Sequence, residues 1–166
     1  MIALTYPKKG YQLIMETNAS DNGIGAVLKQ VNPELAHYKT KQAREKGAEY
    51  EPTKSEEEII EFGSKSLIPT QRKWDSTMKE MYAIYYYLLN WRPYIGNKSV
   101  IVRTDNTGIS DASGKMVRND TMQKWLIQLQ DFNWKVERIK GTDNKIADYL
   151  SRHMGLDANG EQVVTL

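Results

Sequence analysis

The stretch YQLIMETNASDNGIGAVLKQ, residues 11–30, decides how this chain begins to fold. Residues 11–17 contain three consecutive apolar side chains, which is typical of a strand buried on both faces. Asp21-Asn22-Gly23 is a strong turn signal, and residues 24–30 are again strand-like. Gly25, inside the second strand, predicts that another backbone approaches closely there. The chain is therefore expected to open with a β-hairpin.

The residues after the hairpin alternate between strand and helix patterns. Further strands are predicted over residues 59–67, 99–104 and 132–139. Helices are predicted after the cap residues Asp75 and Asn119 and after the turn 141–144. Three antiparallel strands followed by alternating helices and strands predict an α/β fold, in which helices flank a five-stranded mixed sheet.

Two details of the helices are also predicted. Arg92-Pro93 should end the long helix that follows Asp75, since the residue before a proline avoids the helical region. Four tyrosines on that helix are interpreted as packing residues, with base stacking as the alternative; they are Tyr82, Tyr85, Tyr86 and Tyr87. On the last helix, Ile146 and Leu150 should pack inward.

The length and composition are those of one globular domain. The chain has 166 residues, of which 40% are hydrophobic and 27% charged. No apolar run approaches the ~20 residues that a membrane span requires, and no signal peptide is recognisable. The absence of cysteine excludes disulfides and thiolate metal sites, and fits a reducing compartment.

The predicted domain covers residues 1–153, with a charged insertion over 31–58 and a flexible tail over 154–166. Residues 31–61 hold five Lys/Arg and eight Glu, a net charge of −3, whereas the remainder holds 18 basic and 13 acidic residues, a net charge of +5. A mildly basic body is compatible with a polyanion partner, and equally with an ordinary solvated surface.

Three acidic residues and one amide are placed where they can converge. Asn18 follows the first predicted strand and Asp105 follows the fourth, so parallel pairing of these strands brings both side chains to one end of the sheet. Glu80 lies early in the long helix, and Asp148 lies off the buried stripe of the last helix. Clustered carboxylates need cations, and oxygen ligands without His or Cys favour Mg²⁺ or Mn²⁺.

Each of these residues has an ordinary explanation when taken alone. Glu80 can complement the helix dipole, Asp105 can cap a helix, and Asp148 can be a solvated helix residue. It is the combination that indicates a site for two metal ions, which would clamp the attacking and leaving oxygens of a phosphodiester.

Four ordered segments resemble the ribonuclease H domain of reverse transcriptases, and most closely those of gypsy-type LTR retrotransposons and plant pararetroviruses. The segments are ETNASDNGIGAVLKQ (16–30), STMKEMYAIYYYLLNWRPYI (76–95), VIVRTDNTG (100–108) and VERIKGTDNKIADYLSR (136–152). The resemblance spans about residues 13–152. It implies the ribonuclease H fold and endonucleolytic hydrolysis of the RNA strand of RNA–DNA hybrids during reverse transcription, leaving 3′-hydroxyl and 5′-phosphate ends.

The resemblance also assigns roles to individual residues. Glu80, Asp105 and Asp148 match the second, third and fourth catalytic, metal-binding acids, and Asn18 stands where the family has its first Asp. Two Mg²⁺ or Mn²⁺ ions are implied for the active form. Contacts to the minor groove are expected from Ser20, Thr77 and Asn106, and contacts to phosphates from Lys79, Arg103, Lys140 and Lys145.

Asn18 is expected to make this chain a binder of hybrids that barely cuts them. An amide is isosteric with a carboxylate but neutral, and its NH₂ group points a donor towards the place of a cation. Either engineering or natural loss explains such a change. His153 lies beyond the last acid and is interpreted as a surface residue, and no space remains for the additional basic helix of some relatives.

Other functions remain as alternatives. One is a non-catalytic nucleic-acid-binding or connection module with the same fold, and another is an integrase-like transferase, which the segment around Asp148 argues against. A plain interaction domain leaves the ordered motifs unexplained. The resemblance implies a polymerase domain upstream in a polyprotein, an RNA–DNA hybrid as partner, no membrane, a monomeric isolated domain, and a location in the cytoplasm or in virus or virus-like particles.

Overall fold

The structure is a computed structural model that describes residues 5–34, 57–106, 109, 119–140, 144–156 and 162–164. Most of the insertion predicted over residues 31–58 and most of the turn predicted over 141–144 lie outside these ranges. Residue 31 belongs to the second strand and residue 58 to the third, so the connection is slightly shorter than predicted.

The expected five-stranded mixed sheet is present. Its strand order is β3-β2-β1-β4-β5, with antiparallel pairing among β1, β2 and β3 and parallel pairing of β1 with β4 and of β4 with β5. The strands are β1 (Gln12–Ala19), β2 (Gly23–Val31), β3 (Glu58–Ser66), β4 (Ser99–Thr104) and β5 (Asn133–Arg138). Since β1 runs two residues further than predicted, Asn18 lies within the strand, opposite Gly25 of β2.

Two long helices begin at the predicted caps. Asp75 accepts a hydrogen bond from the backbone N of Met78 at 2.8 Å, and Asn119 accepts one from Met122 at 2.8 Å. The described helices are α1 (Pro69–Arg72), α2 (Ser76–Asn90), α3 (Arg92–Ile95), α4 (Asp120–Gln128) and α5 (Lys145–Arg152). None of the helices in these described ranges combines the length and apolar character that crossing a bilayer demands.

The segment after α5 differs from the unstructured tail that was expected. Two short strands, β6 (Met154–Leu156) and β7 (Gln162–Val164), pair antiparallel and lie close to β3. Strand formation agrees with the β-branched residues Val163 and Val164 in this segment.

One face of the sheet packs on α2 and α4 to form the main core. Apolar side chains of β1 and β4 meet the buried stripe of α2 there, and the contributors include Leu13, Met15, Val100, Val102, Ile84 and Leu88. Tyr87 is buried, and the other three tyrosines of α2 are half-buried and pack against this core. The interpretation of the tyrosines as packing residues is therefore confirmed.

The other face of the sheet packs on α5 through Gly25. A Cβ atom at Gly25 would lie 2.5 Å from the carbonyl O of Ala147 and 2.6 Å from the backbone N of Ser151. Leu150 is buried as predicted, but Ile146 is only half-buried. Ala147 faces the sheet in its place: its carbonyl O and the Cβ of Leu150 both lie against Gly25.

A buried ion cluster holds the start of β3 against β1, β2 and β4. The Arg103 guanidinium lies 2.6 Å from Glu57 and 3.2 Å from Glu16, and the Lys29 ammonium lies 2.9 Å from Glu16. All four side chains are buried, and their formal charges cancel. The cluster anchors the point at which the chain returns to the sheet.

Gly25→Ala should destabilise the domain by about 1–3 kcal/mol, since the added methyl group pushes α5 off the sheet. Urea unfolding measures the loss, and hydrogen exchange of the α5 amides should accelerate. Gly63→Ala is the matched control, because its added methyl group meets the Tyr87 ring instead. Unchanged α5 exchange in Gly25→Ala would contradict the close approach.

Arg103→Met should cost about 3–5 kcal/mol of unfolding free energy, because it leaves two buried carboxylates, Glu57 and Glu16, with Lys29 as the one remaining cation of the cluster. Lys8→Met is the control: it removes an exposed ion pair with Glu58, and its loss should have little effect on stability. Equal losses in the two variants, measured by denaturant unfolding, would rule out a structural role for the cluster.

Candidate functional site

Asn18 and Asp148 are in direct contact at the end of β1. The Asn18 Nδ2 donates a hydrogen bond to Asp148 Oδ1 at 2.9 Å, and the Asn18 Oδ1 accepts one from the backbone N of Ala19 at 2.9 Å. Exchanging the amide oxygen and nitrogen would place the oxygen against the Asp148 oxygen and the NH₂ group against the Ala19 N–H. The two hydrogen bonds therefore fix the orientation of the amide. The amide donor thus lies at the Asp148 carboxylate.

Glu80 reaches the same point from α2. Its Oε1 accepts a hydrogen bond from the backbone N of Ala19 at 3.0 Å, while its Oε2 is buried and has no hydrogen-bond partner among the described residues. Burial raises the pKa of Glu80 from the ordinary 4.5 to about 8, the Ala19 N–H opposes this shift, and the charges of Asp105 and Asp148 add to it. The site therefore holds a carboxyl group whose ionised form is disfavoured by burial and by two neighbouring acids.

Asp105 and Asp148 complete the set from two other elements. Asp105 is half-buried and directly follows β4, the strand that runs parallel to β1. Both carboxylates are close enough to Glu80 to raise its pKa. Asp148 also receives a hydrogen bond from Arg152 Nε at 2.9 Å, one helical turn further along α5. The structure thus places Asn18 in contact with Asp148, with Glu80 bound to the next backbone N–H and Asp105 near enough to affect the pKa of Glu80.

Two side-chain contacts hold the start and end of α5 at the hairpin. Asn144 is buried just before α5, and its Nδ2 donates a hydrogen bond to the carbonyl O of Thr17 at 2.8 Å. Ser20 Oγ donates one to the carbonyl O of Ser151 at 2.6 Å. These contacts, together with the packing on Gly25, determine where Asp148 meets Asn18.

The donor set suits a hard divalent cation. All candidate ligands are carboxylate or amide oxygens, which Mg²⁺ and Mn²⁺ prefer, and Glu80 Oε2 is an acceptor without a partner. Over the described ranges, no three or more His, Cys, Asp or Glu side chains are gathered closely enough to hold one ion. The amide at position 18 occupies a place where a fourth carboxylate would complete the ligand set.

The predicted substrate contacts fall into three environments. Lys140 and Lys145 are exposed. Ser20 and Asn106 are half-buried, and each follows a site position, Asn18 or Asp105, by one or two residues in the sequence. Thr77 and Lys79 are mostly buried on α2, and Lys79 Nζ donates a hydrogen bond to the carbonyl O of Asp21 at 3.2 Å.

Arg103 does not fit the phosphate contact that was expected of it. Arg103 is only 9% exposed, and its guanidinium is paired with Glu57 and Glu16. A cation that is paired in the interior is not available to a polyanion at the surface. The sequence pattern around Arg103 carries no sign of these partners, because both lie at least 46 positions away.

A small cavity of about 350 Å³ lies beside the acids, between the β1–β2 turn, α2 and α5. Polar and charged side chains of both signs line it, together with Trp74; they are Ser20, Asp21, Ser76, Lys79 and Arg152. Ser76 and Arg152 were not among the predicted contacts. Arg152 stands four residues after Asp148, a spacing that places two helical side chains side by side, so the sequence did contain a signal for it.

Comparisons with known proteins agree with this geometry. Residues 8–132 match the family model described as the RNase H-like domain found in reverse transcriptase. The chain is 28% identical to the putative enzymatic polyprotein of Cassava vein mosaic virus over 96% of its length, and 31% identical to the enzymatic polyprotein of Cauliflower mosaic virus (strain CM-1841) over 90%. It spans only 23% and 20% of those two relatives.

A solved structure shows the same fold at low sequence identity. The LC11-RNase H1 crystallised in complex with RNA/DNA hybrid superposes with a TM-score of 0.56 at 15% identity, covering 84% of this chain and 93% of that one. The five-stranded sheet and its flanking helices therefore form the ribonuclease H fold. Because the family model covers most of the chain, this protein belongs to the family of RNase H-like domains found in reverse transcriptases.

Proposed function

We propose that this domain acts on RNA–DNA hybrids as the ribonuclease H part of a reverse-transcribing polyprotein. The reaction is endonucleolytic hydrolysis of the RNA strand, and the acids that carry it are Glu80, Asp105 and Asp148, with position 18 as the fourth. Family membership supports this proposal, as does the convergence of the four positions. A polymerase domain upstream, a monomeric isolated domain and a location in the cytoplasm or in virus or virus-like particles belong to the same proposal.

The observation that carries the proposal is the 2.9 Å contact between the side chains of Asn18 and Asp148. An aspartate at position 18 would place a second carboxylate against Asp148, and two like charges at this distance need a cation or a proton between them. This contact supports the proposal that position 18 and Asp148 form a pair of carboxylates around a cation when position 18 is an aspartate. In this chain, the amide donor takes the place of the cation.

Two Mg²⁺ or Mn²⁺ ions would be held by position 18, Glu80, Asp105 and Asp148, and would supply activation of water and stabilisation of the phosphate charge. The residues of the chain prepare the site for them. Ala19 N–H orients Glu80 towards the cluster, and burial of Glu80 keeps water from competing for its second oxygen.

Asn18 accounts for binding with little cleavage. The amide lowers the formal charge of the acid cluster by one and presents a donor to Asp148. If this forfeits about 4 kcal/mol of transition-state stabilisation, the rate falls roughly a thousandfold. The fold is unaffected, since both polar ends of the amide are satisfied.

Hybrid binding would extend from the acids into the neighbouring cavity. Ser20, Lys79 and Arg152 line this cavity; the Lys79 and Arg152 side chains can donate to a phosphate, and the exposed Lys140 and Lys145 add positive charge. Thr77 and Asn106 remain proposed minor-groove contacts.

A second candidate function is a ribonuclease H-fold module that binds nucleic acid without cleaving it. It is favoured by the hydrogen bonds from Asn18 and Arg152 that already satisfy Asp148. The two functions predict different results when a carboxylate is restored at position 18: hybrid cleavage should rise only if the domain is catalytic.

Asn18→Asp should raise Mg²⁺-dependent cleavage of a labelled RNA–DNA hybrid by about a thousandfold, because it restores the fourth charge. Asn22→Asp is the matched control, since it adds the same charge at an exposed position of the same hairpin. Combining Asn18→Asp with Asp148→Asn should abolish the gain. No gain in Asn18→Asp, with hybrid binding retained, would favour the non-catalytic module.

The metal-free protein should lose stability as the pH rises from about 4.5 to about 8. Below this window Glu80 is protonated in both states. Within it the unfolded chain ionises while the folded chain stays protonated, so the unfolded state binds fewer protons and the unfolding free energy falls with rising pH. Above about 8 the contribution is constant.

Glu80→Gln should remove this part of the pH dependence, because the amide cannot ionise. Urea unfolding of both proteins across the pH range measures the difference. Adding Mg²⁺ to the parent chain should restore stability at high pH by favouring the ionised carboxylate. An identical slope in parent and variant would show that Glu80 does not titrate in this window.

A further inference from the structure

The exposed face of α5 includes aromatic side chains that have no role in the proposed hydrolysis. Its inward face is apolar or small and is formed by Ala147, Leu150 and Ser151, which are buried. At 100° per residue, the opposite side of the helix carries two basic and two aromatic side chains, namely Lys145, Tyr149, Arg152 and His153, and all four are exposed.

The two aromatic rings form a preorganised stack. The Tyr149 and His153 rings lie 4.1 Å apart with an interplanar angle of 11°, and a His153 ring nitrogen lies 3.0 Å from the carbonyl O of Tyr149. Tyr149 is 38% exposed, and His153 is exposed as well. Every other ring pair in the described ranges joins buried or half-buried side chains in the core.

This stack borders the acid cluster. Tyr149 directly follows Asp148, whose side chain is 42% exposed and paired with Arg152. An exposed ion pair of this kind contributes little to stability, so Arg152 can turn towards a phosphate at small cost. Lys145 stands one turn before Tyr149 on the same face. The rings are thus flanked by one cation on each side.

We propose that Tyr149 and His153 form a stacking platform for an unpaired nucleobase next to the acid cluster. Proteins hold single-stranded nucleic acid with aromatic rings that stack on the bases and with cations that contact the phosphates. A base inside a duplex has both faces covered by its neighbours, so a ring on the protein surface can only extend the stack of an unpaired or terminal base. The partner is therefore a single-stranded extension of the hybrid, and this inference rests on the proposed function.

With such a platform, the domain should prefer hybrids that carry a single-stranded extension. A hybrid whose strand continues as a single strand past α5 would gain the stacking contact as well as phosphate contacts to Lys145 and Arg152. A blunt hybrid that ends before α5 would lack the stacking contact. The intact chain suits a binding measurement, because Asn18 should limit cleavage during the titration.

The test compares Mg²⁺-dependent binding of a blunt hybrid with that of hybrids extended by a few unpaired nucleotides at each of the four possible strand ends. Fluorescence anisotropy measures affinity, and a fluorescent adenine analogue in the extension reports stacking through quenching. One extension should bind about tenfold more tightly than the blunt hybrid, within the range for one base stacked on an aromatic ring.

Variants separate stacking from helix stability and from charge. Tyr149→Ala and His153→Ala should abolish the advantage of the extension and the quenching, whereas Tyr149→Phe and His153→Phe, which keep the rings, should retain both. Tyr6→Ala is the matched control, because Tyr6 is a 74% exposed tyrosine outside the site. Affinity for the blunt hybrid should stay unchanged in all five variants.

Failure of the inference and failure of the proposed function give different results. If the blunt hybrid binds but no extension improves affinity, or Tyr149→Ala keeps the improvement, the platform is refuted and the proposed function stands. If neither blunt nor extended hybrids bind the parent chain, both are overturned. If Tyr149→Phe behaves like Tyr149→Ala, stacking is not the cause.

Discussion

The packing of α5 against Gly25 is the constraint on which the site depends. The backbone of α5 can approach β2 because Gly25 has no Cβ, and Asn144 and Ser20 tie the two ends of the helix to the hairpin. Only at this separation does Asp148 reach the side chain of Asn18. One small residue in the second strand thus sets the distance between two positions that are 130 apart in sequence.

The two charged clusters of the domain follow opposite electrostatic principles. In the interior, Arg103 and Lys29 neutralise Glu16 and Glu57, so the cluster is satisfied by the protein alone and holds the sheet together. At the site, burial raises the pKa of Glu80 to about 8, and the nearby Asp105 and Asp148 carboxylates add to the shift. Balanced buried charge is compatible with a structural role, whereas unbalanced charge implies a partner from outside the chain.

The elements and the acids of the site were predictable because their signals are local. Alternating patterns, the caps Asp75 and Asn119 and the turn before Gly23 fall where the structure has the corresponding elements. The environment of Arg103 was not predictable, since its partners come from β1 and from the residue before β3. Ile146 was misplaced for a related reason: hydrophobicity indicated burial, but the packing of α5 on Gly25 turns Ala147 and Leu150 towards the sheet and leaves Ile146 half-buried.

By itself the sequence predicted the five strands of the sheet, its long helices and the family, and it proposed the four site positions, because these depend on residue types and short-range spacing. Tertiary structure alone decided which charges are neutralised. Whether a carboxylate has a partner depends on residues brought together from distant segments, as with the Asn18 amide on Asp148 and the unpartnered oxygen of Glu80. The chemistry available to this domain follows from that balance of charge.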